Sequence, residues 1–276
     1  MIGPLPYIGG KNRLAKQIIA LLPEHLTYVE AFAGGAQVFF HKQPSEVEIL
    51  NDLDGEVINF FRVCQWHYEE LVRYLRFCPP SRKLFELVSA TAPQTLTDVQ
   101  RAARFFYLQK NAFGGLIVKR AFHYGVTQRQ NYTLDRIPEA LEQAHRRLQR
   151  VQLESLPYEK ILEKYDRTTT LFYLDPPYWQ RKLYKFNFRD EDFEQLNQRL
   201  QGLKGRFVLS LDDHPEIRRI FRAWRIQRAA IHYTAQRKAG KRFGELLIMN
   251  FEPEKRPVEA ETSQIESRPK IVLDRR

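Results

Sequence analysis

The feature that leaves this chain least choice is Asp175-Pro176-Pro177-Tyr178, set directly behind the apolar run Leu171-Phe172-Tyr173-Leu174. A short apolar run bounded by turn residues reads as a strand buried on both faces, as in a parallel sheet covered by helices. Neither proline donates a backbone hydrogen bond, so the chain has to leave the sheet at that point. In open α/β sheets ligands bind at the carboxyl ends of the strands. The unit therefore carries a carboxylate, a carbonyl with no ladder partner and an aromatic ring to the edge where chemistry is done.

Other segments agree with that frame. Val29, Ala31 and Phe32 lead into Gly34-Gly35 and an apolar helix start at Val38, Phe39 and Phe40, and Val47 to Leu50 form a second strand ending at Asn51-Asp52. Strand, glycine turn, helix and strand with a terminal acid make one half of a doubly wound α/β sheet. Phe207 to Leu211 read as a further buried strand, with a helix opening at Asp190 before it. Ala229 to Tyr233 and Leu246 to Phe251 are expected to close the sheet as a hairpin. Between Phe60 and Arg150 helical spacing dominates, as in Phe61, Cys64, Tyr68, Leu71 and Leu75. The expected division is a catalytic domain of residues 1–59 and 151–251, a helical insert of 60–150, and a disordered tail of 252–276 that has no aromatic residue.

Charge narrows the partner. The 276 residues carry 44 Lys plus Arg against 33 Asp plus Glu, a formal net charge of +11. The tail is balanced in sign, so the excess belongs to the rest of the chain. It gathers in two stretches, Arg82 to Arg150 and Arg218 to Arg242, both interleaved with aromatic residues. Basic groups neutralise phosphates and flat rings stack on or wedge between bases, which suits nucleic acid. Cys64 and Cys78 are the only cysteines, which excludes a disulfide framework and a zinc site of the base-deaminase kind. No apolar run approaches a membrane span and no secretion signal opens the chain, so a cytoplasmic protein is expected.

Two acceptors beneath an aromatic platform suit the exocyclic amine of a base. Its lone pair is conjugated into the ring; accepting both amine protons favours a pyramidal nitrogen and frees the pair for attack. Glycine after the first strand lets backbone approach a ligand closely, and Glu30 or Asp52 would hold its amine or ribose hydroxyls. The three-glycine dinucleotide fingerprint is missing, and Gly10-Lys11 is followed by Asn12, so neither pyrophosphate-binding loop is present. A nucleoside cofactor without a pyrophosphate fits better.

Tyr7-Ile8-Gly9-Gly10-Lys11, Glu30 to Gly35, Asn51-Asp52 and Asp175 to Tyr178, in that order, resemble the Dam-like (class alpha) N6-adenine-specific DNA methyltransferases. The resemblance runs from Leu5 to Phe251. It implies a Rossmann-like methyltransferase fold, a doubly wound mixed seven-stranded sheet with a mainly helical insert acting in DNA target recognition. It also implies S-adenosylmethionine as cofactor, contacted by Tyr7, Gly9, Gly10, Lys11, Glu30, Phe32, Gly34, Asp52 and Asp175, with Asp52 on the ribose. Asp175, Pro176, Pro177 and Tyr178 would be catalytic, Tyr178 stacking on an adenine flipped out of double-stranded DNA. Asn111, in Asn111-Ala112-Phe113-Gly114-Gly115, stands where relatives place a DNA-reading hairpin. Phe186-Asn187-Phe188 resembles the stretch that follows the family's catalytic loop. Ala31 stands where the family usually has Pro, and Tyr7 where it has Trp. The further DNA contacts expected are Lys119, Arg120, Arg181, Lys182, Arg237, Lys238, Lys241 and Arg242, the last four at a hairpin tip. A monomer that needs no metal, in a restriction-modification or phage setting, completes the expectation.

Three alternatives share parts of this pattern. Cytosine amino methylation uses similar chemistry, usually with Ser at the position of Asp175. RNA adenine methylation is a second, and a DNA-binding module with a vestigial cofactor site a third. Methylation of a cytosine ring carbon needs a nucleophilic thiol, typically after proline, and neither Cys64 nor Cys78 stands there.

Overall fold

The computed structural model describes residues 1–7, 9–112, 117, 120–123, 132–229 and 244–253. After a turn of 3-10 helix at Lys11–Arg13 come α1 (Ala15–Leu21), β1 (Thr27–Glu30), α2 (Gln37–His41), β2 (Val47–Asn51) and α3 (Gly55–Trp66). Then follow α4 (Tyr68–Leu75), α5 (Arg82–Ala90), α6 (Asp98–Asn111), α7 (Ile137–Leu148), β3 (Gln152–Glu154) and α8 (Tyr158–Tyr165). The chain continues through β4 (Thr170–Leu174), α9 (Asp190–Gln201), β5 (Arg206–Asp212), α10 (Pro215–Ile220), β6 (Arg225–Ala229) and β7 (Glu245–Met249).

Helix starts follow local chemistry. Asp54 caps α3 by accepting from Glu56 N, Thr97 and Gln100 form a reciprocal capping box on α6, and Pro215 opens α10 behind His214.

Among the described residues seven strands form one sheet in the order β3-β2-β1-β4-β5-β7-β6. β3 to β5 pair in parallel, while β7 runs antiparallel to both β5 and β6. This is the mixed seven-stranded α/β sheet that the resemblance implied. Alternation along each strand sends side chains to two cores. Tyr28, Leu50, Leu171, Tyr173, Val208 and Leu247 pack with α1 to α7, whereas Val29, Ile49, Phe172, Leu174, Leu209 and Ile248 pack with α8 to α10. Burial on both faces is why the central strands read as unbroken apolar runs. Strand order reverses between β1 and β4, and the crevice at that switch point is where an open sheet of this kind binds ligands.

Three details depart from expectation. β3 is three residues long with no buried position, too short and too exposed to leave a hydrophobic signature. β6 begins at Arg225, before the expected Ala229; as an edge strand it presents Arg225, Gln227 and Arg228 to solvent, so its pattern is polar. The remainder of the expected strand, Ala230 to Tyr233, lies outside the described residues. The boundary expected at residue 60 falls inside α3, and helices α3 to α7 share a single hydrophobic cluster with one face of the sheet. The tail beyond Pro253 is also outside the described residues.

Candidate active site

Glu30 ends β1 and Asp175 follows β4, so the switch point brings together two motifs 145 residues apart in sequence. The N-terminal segment closes over them. Gly10 N donates to Tyr7 O (2.9 Å), and Gly9 takes φ +73°, a left-handed turn in which a side chain would also meet the Tyr184 hydroxyl at 2.7 Å. That turn aims Lys11 inward, where it is 4% exposed. Its Nζ donates to Asp175 Oδ1 (2.6 Å) and Oδ2 (2.8 Å), to Gly9 O (3.0 Å) and to the Tyr178 hydroxyl (2.6 Å). Tyr178 in turn donates to Glu245 Oε1 (2.7 Å) on β7, which also accepts from Ser210 Oγ (2.5 Å) on β5.

Burial pushes the Asp175 carboxyl up, and Glu245 adds to the push while Lys11 opposes it; the result is about 6. Burial works against the Lys11 charge, but Asp175 and Glu245 outweigh it and raise the ammonium above its ordinary range. Asp175 is thus an ionised acceptor at neutral pH, held by a permanent cation.

A cavity of about 510 Å³ lies against this group, a size that suits a nucleoside-containing ligand. Of the cofactor residues expected from sequence, Tyr7, Gly9, Gly10, Lys11, Glu30, Phe32, Gly34, Asp52 and Asp175 all line it. Gly34 takes φ +47° with the Tyr7 ring against it, 2.9 Å from where a Cβ would stand. Gly34 N donates to Asp52 Oδ2 (2.8 Å), and Asp54 N to Asp52 Oδ1 (2.8 Å). Burial raises the Asp52 carboxyl to about 6 against those two hydrogen bonds. Glu30 turns inward, accepting from Phe39 N (2.7 Å) and the Tyr28 hydroxyl (2.8 Å), and burial lifts its carboxyl to about 8. The Tyr173 hydroxyl has no hydrogen-bond partner and stands in the cavity wall beside Asp175.

The catalytic motif divides. Asp175 and Pro177 line the cavity; Pro176 and Tyr178 are buried behind its wall, with the Arg181 guanidinium 5.6 Å from the centre of the Tyr178 ring. Of the expected DNA contacts that fall within the described residues, Asn111 is wholly enclosed and Arg120 and Arg181 are partly so. Asn111 is 1% exposed at the end of α6 and donates to Tyr107 O (2.9 Å), so its amide is enclosed in the helical core and does not face outward. Arg120 is half-buried, donating to Gln109 Oε1 (2.9 Å) with its guanidinium near the Phe105 ring. Arg181 is half-buried and Lys182 exposed beside the catalytic turn. Lys119, Arg237, Lys238, Lys241 and Arg242 lie outside the described residues.

Sequence reasoning singled out Phe32 and the stretch holding Asn187 and Phe188, but it missed Tyr158 and Glu245. Phe32, Tyr158 and Phe188 form an aromatic wall, with ring centres 5.4 to 5.8 Å apart. Asn187 clasps the backbone of Tyr184 at both N (3.1 Å) and O (2.6 Å), setting the segment that covers Gly9. Glu245 had a visible signal, a carboxylate opening the apolar strand Glu-Leu-Leu-Ile-Met. Among the described residues no group of three or more His, Cys, Asp or Glu is placed to hold a metal ion, and no helix is long and apolar enough to cross a membrane.

Comparison with known proteins meets this geometry. The model of the D12 class N6 adenine-specific DNA methyltransferases matches residues 7–239. "Type II methyltransferase M.CviBI" of Paramecium bursaria Chlorella virus NC1A is 26% identical over 176 residues, 62% of this chain and 66% of that protein. "DNA N-6-adenine-methyltransferase" of Escherichia phage P1 is 31% identical over 114 residues, 40% of this chain and 15% of that protein. "Type II methyltransferase M1.LlaDCHI" of Lactococcus lactis subsp. cremoris is 30% identical over 117 residues, 40% of this chain and 41% of that protein. The chain spans less than two thirds of the length of each of these relatives.

Proposed function

The chain belongs to the D12 class N6 adenine-specific DNA methyltransferase family, and from that membership we propose that it methylates the exocyclic N6 of an adenine flipped out of duplex DNA, with S-adenosylmethionine as donor. The observation that carries the reading is the Asp175 carboxylate, bonded to Lys11 and lining a nucleoside-sized cavity at the switch point of the sheet.

The residues present fit the cofactor. Asp52 is fixed by Gly34 and Asp54 with lone pairs left for ribose hydroxyls, the Phe32–Tyr158–Phe188 wall suits a flat base, and the orphaned Tyr173 hydroxyl offers a donor. When bound, S-adenosylmethionine would supply a methyl group on a sulfonium, already activated for transfer without a metal because the broken carbon–sulfur bond leaves a neutral thioether. Asp175 accepts one proton of the adenine amine and the Pro176 carbonyl, beyond the last residue of β4, accepts the other. Holding both draws the nitrogen lone pair out of conjugation and aligns it for attack. Once the nitrogen has gained its methyl and a positive charge, the Asp175 carboxylate receives the proton it sheds. Tyr178 stacks on the flipped base, which requires the guanidinium of Arg181 to move off the ring face. Extrusion of the base costs a few kcal/mol, offset by basic and aromatic contacts. Residues 60–150 act in target recognition, and Lys119, Arg120, Arg181, Lys182, Arg237, Lys238, Lys241 and Arg242 grip the duplex. The enzyme works as a cytoplasmic monomer.

Incubation with methyl-labelled S-adenosylmethionine and duplex DNA, followed by digestion to nucleosides, is expected to put the label in N6-methyladenine. Label in N4-methylcytosine, or transfer to RNA alone, overturns the reading.

A further inference from the structure

Glu245 is a buried carboxylate that the transfer chemistry does not call on. It is 6% exposed, at the first position of β7, where it pairs across the sheet with Asp212 and Ala229. An ionisable group here costs desolvation unless partnered, and its partners are specific. Oε1 accepts from the Tyr178 hydroxyl (2.7 Å) and from Ser210 Oγ (2.5 Å), and lies 3.4 Å from Lys11 Nζ. Lys11 in turn reaches both oxygens of Asp175 and the Tyr178 hydroxyl. The Tyr178 hydroxyl is therefore clasped from both sides, accepting from Lys11 and donating to Glu245, which fixes the plane of its ring. Two carboxylates share one ammonium, leaving an excess negative charge next to the place where a cationic methyl donor and a nitrogen gaining positive charge would stand.

We propose that Glu245 is a positioning residue for methyl transfer, fixing the ring of Tyr178 through its hydroxyl and sharing Lys11 with Asp175 so that the charge beside the reacting amine is set from β7. This rests on the methyltransferase reading above. It assigns Glu245 two separable tasks, one of charge and one of reach.

The groups that face Asp175 are Lys11 from the N-terminal turn, Glu30 from β1, Tyr173 from β4, Tyr178 and Tyr184 from the catalytic loop and Glu245 from β7, with Arg181 over the Tyr178 ring. Of these, Glu245 opposes ionisation of Asp175 and Lys11 favours it, while Glu30 keeps its proton to about pH 8 and is neutral where Asp175 titrates. Glu245→Gln keeps an acceptor for Tyr178 but removes the charge. Glu245→Asp keeps the charge but withdraws it by one methylene.

The test measures single-turnover transfer against pH for the full chain, on a duplex carrying the mapped target adenine. It also follows the fluorescence of the same duplex with 2-aminopurine at the target, without cofactor, as a report on stacking of the flipped base. Glu245→Gln is expected to move the acid limb of the rate profile down by roughly one pH unit and to leave the fluorescence as in the parent. Glu245→Asp is expected to leave the limb in place, lower the rate about tenfold, and lose the stacking quench, as Tyr178→Phe does. Glu245→Asp combined with Tyr178→Phe should be no slower than Tyr178→Phe alone, because both remove the same contact. A limb unmoved in Glu245→Gln together with unchanged stacking in Glu245→Asp overturns the proposal, and so do equal, additive losses that follow only thermal stability. A parent chain that methylates no adenine refutes the methyltransferase reading instead.

Discussion

Asp175 shows how burial and one cation together make a useful acid group. Left exposed it would ionise near its ordinary value; enclosed, it is lifted to about 6, and Lys11 keeps it from rising further. Transfer needs the ionised form, so the single-turnover rate should rise with pH and reach half its plateau near pH 6. A rate already flat from pH 4.5 upward would remove Asp175 from the acceptor role. Glu30 carries the opposite consequence into stability. Buried between Phe39 N and the Tyr28 hydroxyl, it keeps its proton to about pH 8, whereas in the unfolded chain it ionises near 4.5. Stability from this group is full below pH 4.5 and is lost as pH rises through 8. Glu30→Gln, a neutral mimic, should therefore leave the melting temperature at pH 5 nearly unchanged and raise it at pH 8; parallel curves for the two proteins would contradict this. Strand ends and a glycine turn marked Glu30, Gly34, Asp52 and Asp175, whereas Tyr7, Lys11 and Phe32 were expected only from the resemblance. The bond from Lys11 to Asp175 was not legible, since a four-carbon side chain reaches across 164 residues of sequence without any spacing rule.

The elements that frame the site are held by groups that a hydrophobic pattern does not reveal. Arg147 on α7 forms an ion pair with Glu48 on β2, donates to Phe39 O (3.2 Å), and lies 3.7 Å from the centre of the Phe39 ring. Glu48 is shared with Lys42 Nζ (2.7 Å). One buried cluster thereby ties α7 to β2 and to α2, the helix whose Phe39 N–H anchors Glu30. Arg147→Ala leaves Glu48 short of a partner inside the protein and should cost on the order of 3 kcal/mol. Urea unfolding checks this through a lower midpoint with an unchanged slope; a midpoint equal to the parent's would show the cluster to be energetically idle. Strands β1, β2, β4 and β5 were readable because both their faces are buried. Edge strand β6 and the three-residue β3 were not, because exposure leaves an edge free to carry Arg225, Gln227 and Arg228.

At the scale of the molecule, the proposed function draws chemistry and grip from different parts of the chain. The sheet edge supplies acceptors, while the net charge of +11 supplies attraction to a polyanion. Each phosphate contact removed should lower the slope of log affinity against log salt by about 0.9. Lys238→Ala with Arg242→Ala is expected to weaken DNA binding across sequences and reduce that slope by about 2; an unchanged slope would take this stretch out of the interface. The charge pattern points to a nucleic-acid partner, but nothing in it marks the groups that would read bases, and Asn111, expected among them, is enclosed. The account stands most directly on Asp175→Ala. Labelled transfer from S-adenosylmethionine to adenine in duplex DNA should disappear in that variant while its affinity for the duplex largely survives, and a variant that still transfers at the parent rate would contradict the mechanism at its centre.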